Sequence, residues 1–213
     1  MSAGVAKLDV TVTEVTPVNE LVTRFSFVRT DGGMMPNFSG GAHTVVEMRD
    51  DGRMRLNPYS LMSDPSDRTQ YSISVRRDDA GRGGSLFMHR QVRVGMQMVL
   101  SHPVNLFPLD LRAGKHLLVA GGIGITPFMA QIKQLAAMNG NFELHYSVRS
   151  AALATYAELL RNAYPTRVHI YRDDARELIP LARLLDGQPL GTQLYICGPK
   201  GMIKWVRQTA DGA

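Results

Sequence analysis

The segment Lys115–Leu135, KHLLVAGGIGITPFMAQIKQL, constrains this chain more than any other. Leu117–Ala120 is apolar without alternation, which predicts a strand covered on both faces, as in a parallel sheet. Gly121, Gly122 and Gly124 predict a turn whose backbone amides approach a ligand where a Cβ would intrude. Thr126 is placed to cap the following helix, and Pro127 fits its first turn, where no amide hydrogen is needed. Phe128, Ile132 and Leu135 then share one helical face. A helix start behind a glycine turn favours an anion by about 0.3–1 kcal/mol, more when partly buried. A dinucleotide pyrophosphate is the obvious anion. A tight turn in an ordinary α/β fold would read the same way, because the strict G-x-G-x-x-G is not met: Pro127 stands at its third place.

The 213 residues suffice for one large or two small domains. With 44% hydrophobic and 20% charged residues, the composition is that of a globular protein rather than a disordered one. The net charge of +5 is modest and scattered, so nucleic acid is not expected as a partner; a docking face for an acidic protein fits as well. A single cysteine, Cys197, excludes an intramolecular disulfide and any all-cysteine iron–sulfur or zinc site, and no metal site is expected. The N-terminus lacks the apolar core of a signal peptide and no segment is a membrane span, so a cytoplasmic location is the default.

From Leu8 to about Ser101 the pattern is β. Val10, Val12 and Val15 mark one strand, and Leu21, Thr23, Phe25 and Phe27 a second. His43–Met48, Tyr59–Met62, Tyr71–Arg77 and Met98–Ser101 follow, with a hairpin turn at Asp50–Gly52 and a short helix at Ser85–Val92. Strands at this spacing predict a small antiparallel barrel. A boundary near Leu109–Gly114 divides the chain into 1–109 and 110–213. Beyond it, strands at Leu144–Val148, Arg167–Tyr171 and Gln193–Ile196 alternate with helices at Leu153–Ala163, Leu178–Leu185 and Pro199–Thr209. Such alternation predicts a Rossmann-like parallel sheet covered on both faces, with ligands beyond the carboxyl ends of its strands.

Three further stretches carry chemistry. In Asn57–Ser63, NPYSLMS, a tyrosine and a serine at a strand start offer a ring face and a hydroxyl to a flat heterocycle, although ordinary barrel sequence looks alike. In Gly81–Ser85, GRGGS, three glycines and a serine opening a helix make a second anion nest with Arg82 adding charge; a flexible surface loop is the other reading. Cys197–Gly198–Pro199 ends the last strand. It is either a buried small thiol or a group facing a nicotinamide ring, positioning rather than attacking, because only Lys200 offers a nearby base.

Taken together, these motifs resemble the ferredoxin–NADP reductase superfamily, and within it the phthalate dioxygenase reductase and vanillate demethylase reductase group. Tyr59–Ser60–Leu61 resembles the end of the R-x-Y-S-L flavin motif. GRGGS resembles the flavin-phosphate loop, and NLFPL at Asn105–Leu109 the entry to the nucleotide domain. GGIGITP and the downstream CGP match in order and spacing. The resemblance implies that NAD(P)H passes a hydride to flavin, which releases electrons singly to a [2Fe-2S] centre serving a terminal oxygenase. It implies flavin contacts at Arg55, Asn57, Pro58, Tyr59, Ser60, Leu61, Val75, Arg76, Gly81, Arg82, Gly83, Gly84 and Ser85. Nucleotide contacts are implied at Gly121, Gly122, Gly124, Thr126, Pro127, Ser147, Arg149, Asp173, Cys197, Gly198 and Pro199. Ser60, near the flavin N5, and Cys197, at the nicotinamide, are the implied catalytic pair.

Two departures qualify this. The motif arginine falls at Asn57, and Arg55, two residues earlier on the same strand face, is the candidate substitute. The family usually adds another strand and a plant-type ferredoxin domain, whereas this sequence stops at Ala213 without a cysteine cluster. The expectation is therefore the reductase part of a longer protein, or one using a separate ferredoxin; the [2Fe-2S] centre is not in this chain. FMN is expected rather than FAD, since no further motif would hold an adenine half. NADH is expected over NADPH, because Asp173 and Asp174 oppose a 2′-phosphate that Arg149 would favour. A free-flavin reductase and a non-catalytic subunit of the same fold remain the alternatives.

Overall fold

A computed structural model describes residues 6–50 and 52–212 of the chain. Seven strands precede the switch to α/β: β1 (Lys7–Pro17), β2 (Val22–Arg29), β3 (Ala42–Asp50), β4 (Arg53–Ser60), β5 (Tyr71–Arg76), β6 (Gln97–Ser101) and β7 (Val104–Asn105), with helix α1 (Gly84–Gln91) after β5. They form one curled antiparallel sheet in the order β4-β3-β6-β1-β2-β5, and β7 pairs with β3. Because β4 and β5 are its edges, this is a half-barrel. Val10, Val12, Phe25, Phe27 and Ile73 fill its inside. A register shift between Val12 and Glu14 explains why the apolar pattern of β1 slips by one: the extra residue brings Val15 to pack against the same core.

The second half is a parallel sheet of β8 (Lys115–Gly121), β9 (Phe142–Val148), β10 (Val168–Arg172) and β11 (Thr192–Cys197), in the order β10-β9-β8-β11. Helices α2 (Thr126–Ala137) and α3 (Ala157–Ala163) cover one face, where Phe128, Ile132 and Leu160 meet Leu118, Leu144 and Tyr146. On the other, α4 (Leu181–Leu185) and α5 (Lys200–Ala210) bring Leu181 and Val206 onto Val119. The chain runs from β8 outward to β10, then returns to β11 on the opposite side of β8. That reversal opens a crevice between the carboxyl ends of β8 and β11, which places GGIGITP and CGP side by side.

Several sequence expectations are corrected. Tyr59 and Ser60 end their strand rather than start it, because β4 pairs with β3 from Arg53 onward, Asp50 opposite Arg53 and His43 opposite Ser60. Asp51 of the expected hairpin turn lies outside the described residues. Thr126 does not cap α2. A tight helical turn at Gly122–Ile125 runs straight into it, and the Thr126 hydroxyl donates back to the Ile123 carbonyl at 3.0 Å. The helix expected at Leu153–Ala163 begins only at Ala157, because Tyr156 adopts φ +61 and interrupts it. That expected at Leu178–Leu185 begins at Leu181, after Pro180, leaving Leu178 exposed.

Candidate functional site

A cleft of about 620 Å³ lies between the half-barrel and the parallel sheet. Its barrel wall is the free edge of β4, with Pro58, Tyr59 and Ser60, together with Ser74 and Arg76 of β5. Pro58 suits that edge, having no N–H to leave unpaired. The opposite wall is the switch-point crevice: Gly121–Gly124, Thr126 and Cys197–Pro199, with Arg149 beyond β9. A second cavity of about 430 Å³, lined by His43, Phe107 and Pro127 among others, shares Pro58, Ser60 and Cys197 with the first. A third, of about 250 Å³, continues from Gly121, Gly122, Arg149 and Pro199 to Ser147, Asp173 and Trp205. There the Ser147 hydroxyl donates to Asp173 Oδ1 at 3.3 Å.

The glycines of the two motifs pack the switch-point wall together. A Cβ on Gly121 would strike Met202 and Pro199, one on Gly124 the backbone of Cys197 and Gly198, and one on Gly198 the backbone of Gly121. Three of the four are therefore spent on turn-against-turn packing. Gly122, at φ +53, is the one of the four with open space where a Cβ would stand. Burial pushes the Cys197 thiol up, so it is uncharged at neutral pH. Tyr59 is likewise raised by burial, offset in part by the amide of Asn57.

Arg55, Asn57 and Tyr59 alternate onto one face of β4, toward the N-terminus of α1. Gly83 caps that helix at φ +93 with no side-chain hydrogen bond, so its first amides are left for another acceptor. A Cβ on Gly83 would lie 3.1 Å from the Arg55 guanidinium, and one on Gly84 would strike the Asn57 amide. Arg55 donates to the Arg82 carbonyl, and its buried Nε faces Asp50 at 3.6 Å, an ion-pair separation just beyond hydrogen-bond length. Asn57 in turn donates to the Tyr59 hydroxyl at 3.3 Å. The Ser85 hydroxyl is committed within the loop, accepting from the Asp78 N–H at 3.0 Å.

The structure thus gathers most of the expected residues around one cleft and its extension. Leu61 and Val75 are exceptions, their side chains belonging to the half-barrel core; Arg55 and Asn57 face α1 instead, and Pro127 lines the second cavity. Gly81–Ser85 adjoin the cleft through Asn57 and Tyr59 without lining it. Sequence reasoning missed Asn19 and Thr155, whose side chains hydrogen-bond at 3.0 Å across one end of the cleft, beside a 2.7 Å bond between Ser74 and Tyr156. It also linked neither His43 nor Trp205 to a cavity. Nothing local in the sequence pairs residues 19 and 155; for Trp205 the available signal is the amphipathic run of α5.

This architecture, a curled antiparallel sheet facing a parallel four-stranded sheet across a cleft, is the two-domain fold of ferredoxin–NADP reductase-like electron-transfer proteins. The chain belongs to the family described as dimethylamine monooxygenase subunit DmmA-like, N-terminal domain, whose model matches residues 98–213. It is 44% identical to the carnitine monooxygenase reductase subunit of Acinetobacter baumannii, over 90% of this chain and 59% of that protein. It is 39% identical to the vanillate O-demethylase oxidoreductase of Pseudomonas sp., over 95% of this chain and 64% of the relative. The chain therefore spans about three fifths of the length of these curated relatives. Among solved structures, phthalate dioxygenase reductase superposes with a TM-score of 0.90 at 30% identity, over 96% of this chain and 64% of the other. Among the described residues, no helix is long and apolar enough to cross a membrane.

Proposed function

We propose that this chain is the flavin- and nucleotide-binding part of an oxygenase reductase, taking a hydride from NADH onto FMN and passing electrons singly to a [2Fe-2S] ferredoxin centre that serves a terminal oxygenase or demethylase. The observation that carries the reading is the cleft itself. It sets Tyr59 and Ser60 on one wall against Gly122 and Cys197 on the other, in a chain whose relatives are reductase subunits. Residues 1–109 would hold the flavin and 110–213 the nucleotide.

The residues fit these groups. The uncapped start of α1, with the Arg55 guanidinium against Gly83 and the Asn57 amide against Gly84, suits a terminal phosphate. That favours FMN over FAD. When bound, NADH supplies the hydride and the flavin divides its electron pair. Tyr59 offers a ring face on the barrel wall, and Ser60 a hydroxyl able to donate a proton to, or accept one from, a flavin ring nitrogen. Gly122 lets a pyrophosphate approach the amides of the turn. The neutral Cys197 thiol fills the end of the crevice without offering a competing nucleophile. Ser147 and Asp173 are placed to take ribose hydroxyls, with the Asp173 charge disfavouring a 2′-phosphate. With one cysteine in 213 residues, a plant-type cluster must be supplied from outside them. The oxygenase partner and a cytoplasmic setting belong to the same reading.

The test is the visible spectrum of the purified chain reconstituted with FMN, and its reduction of ferricyanide with NADH. A stoichiometric flavin spectrum that bleaches on NADH addition is expected. A protein that binds no flavin would overturn the reading.

A further inference from the structure

Away from the cleft, three side chains converge on the face of the parallel sheet at β9 and β10. Glu143 and His145 lie two apart on β9 and so share a face. His169 is the register partner of His145 on β10. His145 Nε2 stands 3.0 Å and His169 Nε2 3.3 Å from the same oxygen, Glu143 Oε1, and donor atoms of all three lie within 4.8 Å of one another. We propose that Glu143, His145 and His169 form a binding site for a divalent first-row metal ion of the zinc class, unrelated to the flavin and nucleotide cleft.

The geometry carries this in three ways. Ligand atoms around one ion at bond lengths of about 2.0–2.2 Å stand roughly 2.9–3.5 Å apart, and both nitrogen–oxygen separations fall in that interval. The outer contacts match what such a site needs. His145 Nδ1 meets the Tyr171 hydroxyl at 2.9 Å, which fixes the ring and, with Nδ1 protonated, turns the Nε2 lone pair toward Glu143. Lys115 Nζ holds the other carboxylate oxygen, Oε2, at 2.8 Å, leaving Oε1 for the ion. Finally, the His145 and His169 rings stack with centroids 4.8 Å apart and 18° between planes, so an ion binds once the partly exposed His169 ring rotates to bring its Nε2 toward Glu143 Oε1 and His145 Nε2. Two imidazoles and one carboxylate are a borderline donor set that suits zinc and its neighbours rather than calcium or magnesium. His145 is buried and His169 partly exposed, so an ion would enter from the His169 side and keep an open coordination position there.

The test uses the full chain without a histidine tag, stripped with a chelator, and titrated with Co²⁺ and then with Zn²⁺ in competition. Visible d–d absorption from bound Co²⁺ is expected, bleached by one equivalent of Zn²⁺. His169→Ala and Glu143→Gln should each weaken binding by at least about tenfold, while His102→Ala, at an exposed histidine, should leave it unchanged. Far-UV circular dichroism checks that each variant is folded; should His169→Ala fail to fold, Glu143→Gln decides. Absence of d–d bands at about 100 µM Co²⁺, an affinity too weak for a three-ligand site, would overturn the proposal. So would bands that survive in the folded variants.

Discussion

Gly124 packs so closely against the end of β11 that a Cβ there would overlap the carbonyl oxygen of Cys197. The two motifs on either side of the crevice are thus one packed unit. Gly124→Ala forces β8 and β11 apart at their carboxyl ends. Overpacking of this kind costs about 1–3 kcal/mol, a fall in Tm of roughly 2–12 °C for a chain of this size. NADH affinity should fall with it. Gly122→Ala, by contrast, meets no neighbouring atom, so its effect comes from the positive φ and from the lost approach of the nucleotide. Thermal melts and NADH titrations of both variants separate the two cases.

The role of Arg55 can be read from flavin affinity. A charge-assisted contact is typically worth about 1.5–3 kcal/mol, so Arg55→Ala should weaken FMN binding by roughly ten- to a hundredfold. Arg55 also holds the loop through the Arg82 carbonyl, so part of that loss would come from the loop. Asn57→Arg should tighten binding, since Asn57 already lies against Gly84. FMN binding equal to wild type in Arg55→Ala would reduce that residue to a surface role.

Coenzyme preference should rest on Asp173. NADH is expected to be the better substrate by kcat/KM at fixed salt, and Asp173→Asn to narrow its lead by roughly tenfold, about 1.4 kcal/mol. If NADPH is instead preferred by the wild type, Arg149 dominates the pocket.

Burial of Cys197 gives a pH dependence. Its thiol is raised, so the folded state keeps a proton that the unfolded chain loses above about pH 8.5. Stability from this group is therefore full below that pH and declines as pH rises through the window above it. Alkylation by iodoacetamide, which needs the thiolate, should be slow at pH 8 beside free cysteine and should accelerate in denaturant. Rapid labelling of the folded protein at pH 8 would contradict it.

The hydroxyl of Tyr156 ties the parallel-sheet half to Ser74 of the half-barrel. Tyr156→Phe removes one hydrogen bond, worth about 0.5–1.5 kcal/mol. A Tm drop of a few degrees is expected, with FMN affinity altered because Ser74 lines the cleft.

The motifs were legible because each is local: strand, glycines, helix start. What they do to one another was not. Gly121, Gly124 and Gly198 look like ligand-facing positions, yet their missing side chains make room for the opposing motif, Gly124 and Gly198 for its backbone and Gly121 for Met202 and Pro199, a relation visible only once β8 and β11 are neighbours. Thr126 reads as a cap until the turn before it proves helical. The positive φ of Tyr156 has no signature in a residue that ordinarily avoids it. The same holds for Glu143, His145 and His169. An E-x-H pattern is plain in the sequence, but the third residue joins it through the register of β9 and β10, which no single strand encodes.

Pro58, Ser60 and Cys197 each line two cavities at once. In genetic terms these positions are pleiotropic: a substitution selected for its effect on one chamber is inherited by the other. Adaptation of either chamber alone must therefore run through unshared positions, such as His43 on one side and Arg149 on the other. Second-site suppressors of a lesion at Ser60 should accordingly fall into two groups, one around each chamber.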